Sequence, residues 1–243
     1  MSELIASKKG EVGYLHFNMP GTGNKIAHSL ISKITEELRA MGQDMSLKAV
    51  VISGEGQHFC QGRDAGKKDP AAAVPSAVSL RANMMKPIIG LYQALREIQV
   101  PVIAVVQGEA HGFGAALAGS ADITIASDDA RFSFPELKSN MPPTLAMATV
   151  LDRVPLKTLG WLVYTSQVIN AHEAQRAGLV STVTTRDALE RVRDEVIATL
   201  VSKDREALVG VKQFLATTQN TSFEQAAAFG TNLLAGILSS AGK

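Results

Sequence analysis

Glu136 is a lone carboxylate in the run ARFSFPE, and upstream of it GEAHGFGAALAGS sets Gly112, Gly114 and Gly119 among small and apolar residues. A strand that turns through glycine into a helix presents unpaired backbone N–H groups and the positive end of the helix dipole. An electron-rich atom is the expected guest. Phosphate fits poorly, because the glycines of GFGAALAG lack the G-x-G-x-x-G spacing of a dinucleotide site. An enolate or thioester oxygen fits better, since preorganised N–H groups are a strong device for holding a developing oxyanion. HFCQGRDAG, which follows a strand and passes through Gly62 before Asp64, offers a second set of exposed donors. Each turn alone has a plainer use, with glycine serving positive φ and close packing.

Other side chains compete for roles. His111, directly before the glycine turn, is a candidate second acid or base, against the plainer reading of a hydrogen-bonded structural histidine. Cys60 has no histidine and asparagine pattern to make it a nucleophile and reads as buried packing. Met84 and Met85 suit either an acyl pocket or a core stripe. No nucleophile elbow, P-loop or zinc-ligand spacing occurs, so no metal is expected.

The elements that must position these groups alternate. ELIASKKGEVGYLHFN reads as a hairpin; Leu30, Ile34, Leu38 and Met41 recur at helical spacing; LKAVVISG is a short apolar run suited to a buried parallel strand. A long helical pattern from Val78 to Ile98 follows, then the strand VPVIAVVQG, the glycine turn, an Ala-rich helix and ADITIAS. Alternation of this kind predicts an α/β fold with mainly parallel pairing. Asn170 and Glu173 have the form of a capping box, with Gly178 at the helix end. After the short strand LVSTVTT, residues Asp187–Leu238 read as two or three amphipathic helices. The division expected is a core over 1–185 and a helical region over 186–243 that packs on the core or on a neighbouring subunit.

Composition narrows the partners. A net charge of +1 gives no general attraction to nucleic acid or an anionic membrane, which leaves small molecules. A single cysteine, Cys60, excludes an intrachain disulfide, and no long apolar run or signal-like N-terminus is present, so a cytoplasmic protein without membrane insertion is expected.

HFCQGRDAG, VPVIAVVQGEAHGFGAALAGSADITIAS, ARFSFPELKSNMPP and INAHEAQRAGLV, in this order and spacing, resemble the enoyl-CoA hydratase/isomerase, or crotonase, family from about Val12 to Val183. The resemblance implies a spiral of ββα repeats with a helical C-terminal oligomerisation region, assembled as a homotrimer or hexamer. It implies an acyl-CoA substrate, with coenzyme A as part of the thioester and no separate cofactor. The thioester carbonyl would sit between the backbone N–H groups of Gln61 and Phe113, the latter where the family usually has glycine. Glu136 falls on a family acid/base. Gly62, Asp64, Gly112 and Gly114 fall beside the substrate, and Lys67 and Lys68 near CoA phosphates. The first glutamate of the family's hydratases falls on Ala116. One carboxylate suffices to move a proton from C2 to C4 of a 3-enoyl-CoA, so double-bond isomerisation is the preferred expectation. The alternatives are a hydratase or related hydrolase or decarboxylase, and a catalytically silent acyl-CoA-binding protein. Met141-Pro142-Pro143, where the family commonly has a glycine-rich run, implies an unusual substrate choice.

Overall fold

The computed structural model describes residues 2–64, 66 and 74–240. Lys67 and Lys68 lie outside the described residues. The expected hairpin is β1 (Leu4–Lys9) and β2 (Val12–Phe17). From β2 onward the chain repeats a unit of one strand in a large sheet, one very short strand in a small sheet, and a helix. The first is β2, β3 (Ile26–Ala27) and α1 (His28–Gln43). The second is β4 (Ala49–Gly54), β5 (Arg63–Asp64) and a long helix built from α2 (Ala77–Leu80), a π turn (Arg81–Met85) and α3 (Lys86–Glu97). The third is β6 (Val102–Val106), β7 (Glu109–His111) and α4 (Phe113–Ser120). The fourth is β8 (Ile123–Ser127), β9 (Arg131–Ser133), a 3-10 turn (Pro135–Ser139) and α5 (Thr144–Val150). Then come α6 (Leu156–Thr165), β10 (Ile169–Asn170), α7 (Ala171–Arg176), β11 (Thr182–Thr184), α8 (Leu189–Val201), α9 (Arg205–Thr218) and α10 (Phe223–Ser240).

The large sheet runs β1-β2-β4-β6-β8-β11 and is parallel except for the β1–β2 pair. Its central strands β4 and β6 are apolar on both faces because both faces are covered. Leu15, Ile52, Ala104 and Val106 share one core with Ile34 and Leu38 of α1 and Leu91 and Leu95 of α3. Val51, Ile103, Val105 and Ile125 share the other with Leu189, Val192 and Val196 of α8. Residues that alternate along β4 thus serve two different cores.

The long helix differs from the uninterrupted one expected. Pro87 has no N–H to give to Asn83, four residues back, and its ring would crowd that carbonyl. The π turn sits at this place, and the Asn83 carbonyl accepts from His28 Nε2 at 2.6 Å instead. The capping box is present: Glu173 N–H donates to the Asn170 side chain at 2.9 Å, and Asn170 N–H to the Glu173 carboxylate at 2.8 Å.

Among the charged contacts that fasten the helical tail to the core, the pair of Lys212 and Asp122 is the most buried. Lys212 Nζ lies 2.6 Å from Asp122 Oδ2 and donates to the Val100 carbonyl at 3.0 Å, while the same aspartate oxygen accepts from Val102 N–H at 2.8 Å. Burial pushes the Lys212 pKa down. Asp122→Asn is expected to destabilise the protein by about 3 kcal/mol, because it strands a desolvated ammonium. Lys212→Met, which removes that charge and keeps the stem, is expected to cost less. Thermal unfolding of the two variants side by side checks the order.

Candidate functional site

Two turns are pressed together by backbone contact. Cys60 N–H donates to the Glu109 carbonyl and His111 N–H to the Cys60 carbonyl, each at 3.1 Å, which joins the segment before β5 to β7. A Cβ on Gly114 would lie 2.1 Å from the Cys60 carbonyl oxygen, so only glycine permits this approach. Gly62, with φ +104°, lies against the His111 carbonyl across the same seam. Gly112 N–H donates to the Ser133 carbonyl at 2.8 Å, which ties the glycine turn to β9, the strand leading to Glu136.

The carboxylate lies directly over Gly112. With φ +51° that glycine leaves open the space in which a Cβ would meet Glu136 Oε1 at 2.4 Å. Glu136 Oε2 is buried without a hydrogen-bond partner. Burial raises the Glu136 pKa above the ordinary value of 4.5, since a desolvated carboxylate holds its proton more tightly. A reaction that starts with proton abstraction by Glu136 needs the ionised form. Its kcat/KM is therefore expected to fall as pH is lowered through that raised pKa, with an acid limb above 4.5 in a pH–rate profile.

Glu136 faces a cavity of about 170 Å³ lined also by Arg63, Met84, Ile88, Tyr92, Phe113 and Leu145. Met85 and Met141-Pro142-Pro143 also line it, so both methionines and the proline segment singled out in the sequence meet here. The Phe113 side chain packs on Tyr92 with ring centroids 5.5 Å apart and narrows the cavity. Burial pushes the Tyr92 phenol upward, so it stays protonated. Ala116 is fully buried within α4, and Glu136 is the one carboxylate among the described residues lining the cavity.

The backbone donors differ from expectation at one position. Phe113 opens α4, where an N–H has no acceptor in its own helix, as expected of an oxyanion donor. Gln61 N–H instead donates to the Gly23 carbonyl at 2.9 Å, and the Gln61 side-chain amide bonds to Glu109. It is not available to a thioester oxygen. Ile26 N–H donates to the Gly62 carbonyl at 2.9 Å, opposite the Ile26–Arg63 pair. In a parallel ladder this bonding uses the residues flanking Arg63 and leaves the Arg63 N–H turned away from β3. Arg63 lines the cavity together with Phe113 and Glu136. Arg63, two residues beyond Gln61, is therefore the better-placed second donor.

His111 is also displaced from its expected role. It does not line the cavity; its Nδ1 lies 2.9 Å from Ser133 Oγ and its Nε2 3.7 Å from Glu109 Oε2, a brace between β7 and β9. Burial lowers its pKa. Asp64 is exposed and caps its own turn, accepting from Gly66 N–H at 2.9 Å. Cys60 is buried with its thiol pushed up to about 12, which removes it as a nucleophile. No described helix is long and apolar enough to cross a membrane.

A sequence profile described as Enoyl-CoA hydratase/isomerase matches residues 7–241. The chain is 31% identical to a 2,3-dehydroadipyl-CoA hydratase of Escherichia coli, over 92% of this chain and 86% of that protein. It is 28% identical to a short-chain-enoyl-CoA hydratase of Clostridium acetobutylicum, over 94% of this chain and 87% of that one. Among solved structures, an enoyl-CoA hydratase of Mycobacterium smegmatis superposes with a TM-score of 0.89 at 24% identity, covering 97% of this chain and 90% of the other.

Proposed function

The chain belongs to the enoyl-CoA hydratase/isomerase family, and on that premise we propose that it shifts the double bond of a 3-enoyl-CoA into conjugation with the thioester. The thioester carbonyl accepts from the N–H groups of Arg63 and Phe113, which stabilise the dienolate formed when Glu136 removes a C2 proton. The same carboxyl returns the proton at C4, leaving the 2-enoyl-CoA and an ionised Glu136. The observation that carries this reading is the single carboxylate in the cavity, with the methyl of buried Ala116 where the resemblance would put a second glutamate.

Hydration is the second reading, favoured by the hydratase names of the relatives. It needs a second group to orient water, and His111 lies outside the cavity wall. Mass-detected deuterium uptake from heavy water into a 3-enoyl-CoA, with product absorbance followed, separates the two. Exchange with conversion to the 2-enoyl product supports isomerisation; water addition to a 2-enoyl-CoA without exchange of the 3-enoyl isomer overturns it. The expected trimer or hexamer belongs to the same reading, supported by the exposed apolar side chains of Leu215, Phe223, Leu234 and Leu238 on α9 and α10.

A further inference from the structure

Two buried polar atoms on this cavity's wall have no hydrogen-bond partner among the described residues: Glu136 Oε2 and Arg63 Nε. The reaction accounts for the first. The second belongs to a side chain with no assigned task, since only the Arg63 backbone N–H meets the thioester. A guanidinium is charged at every working pH, and holding one beside an apolar cavity without a counter-ion costs free energy. Arg63 has no ion-pair partner among the described residues.

Its neighbours fix it rather than neutralise it. The Asn83 carbonyl can only accept, so His28 Nε2 carries the proton in their 2.6 Å bond. His28 Nδ1 is then the acceptor for Arg63 Nη2 at 3.3 Å. A histidine that accepts through Nδ1, anchored on the π turn at Pro87, thus steadies the guanidinium without supplying a counter-charge, and no carboxylate among the described residues supplies one.

Resting on the acyl-CoA reading of the cavity, we propose that Arg63 binds a second carboxylate at the far end of the acyl chain, making the substrate a short dicarboxylic acid held as its monothioester. The planar fork of a guanidinium matches a carboxylate in shape and charge. Met84, Met85, Ile88 and Leu145 supply an apolar wall for the intervening methylenes, and about 170 Å³ suits a short chain. A plain alkyl chain would bring no partner to the guanidinium.

The test is calorimetric binding of unreactive saturated thioesters to the native protein, Arg63→Gln and Arg63→Lys. Succinyl-, glutaryl- and adipyl-CoA are compared with butyryl-, pentanoyl- and hexanoyl-CoA. At one length the carboxylate thioester is expected to bind about 10- to 100-fold more tightly than its alkyl counterpart, as a charge-assisted bond warrants. That ratio should fall to near one in Arg63→Gln and recover in part in Arg63→Lys. Equal affinities within every pair in the native protein overturn the proposal and leave the acyl-CoA reading standing, as does a ratio that survives in folded Arg63→Gln. If no thioester of either series binds, the acyl-CoA reading itself fails. Should Arg63→Gln not fold, the native ratio and Arg63→Lys still decide.

Discussion

Glu136→Gln is expected to lower kcat on a 3-enoyl-CoA by about 10²- to 10⁴-fold, the range contributed by a positioned general acid or base. The amide has the size of the carboxyl and fits over Gly112, where Oε1 now lies, so KM is expected to change little. No other carboxylate among the described residues lines the cavity to take the proton in its place. The variant is also expected to be at least as thermally stable as the native protein, since it loses a desolvated carboxylate whose Oε2 had no partner. Steady-state absorbance, deuterium uptake and a melting curve together check it. A residual rate within tenfold of native would remove Glu136 from the proton transfer.

The second large effect is expected from Gly114→Ala. The added methyl would meet the Cys60 carbonyl oxygen at 2.1 Å and the Cys60 carbonyl carbon at 2.9 Å. These are backbone atoms in a paired segment, so the two turns must part. Parting them moves the Phe113 N–H relative to that of Arg63, and mislocating one oxyanion donor costs about 10²- to 10³-fold in kcat. Stability should fall by about 1–3 kcal/mol from overpacking. Gly90→Ala is the control, because nothing lies within 4 Å of a Cβ at Gly90. Equal activity of the two variants would show that the spacing of the turns does not matter to the reaction.

The strands of the large sheet and the helix α1 were legible because their signals are local: short apolar runs and a helical period. The capping box at Asn170 was legible for the same reason. The small sheets were not, since β3, β5 and β10 have two residues each and β7 and β9 three, too few for any alternation to show. At the site, Glu136, Phe113 and the glycines could be placed from their order in the chain. Gln61 could not be told from Arg63, because the choice depends on a pairing with Gly23 and Ile26, distant in sequence, that consumes one N–H and spares the other. His111 failed in a similar way, its partner Ser133 standing one strand away. The π turn does leave a readable mark in the sequence, Pro87 inside the helical pattern.

Beyond the N-terminal hairpin, the large sheet adds its strands in the order in which they leave the ribosome. A nascent chain that has grown just past Glu136 already carries Arg63, Phe113 and the acid/base group, but not yet the side of the cavity wall formed by residues 141–146. The rear face bearing Val51, Ile103, Val105 and Ile125 stays bare until α8 is made, and β8 remains an open parallel edge until β11 arrives. Translation therefore passes through an interval in which the growing protein is adhesive. A pause in synthesis between residues 140 and 190 would expose the cell to that surface for longest.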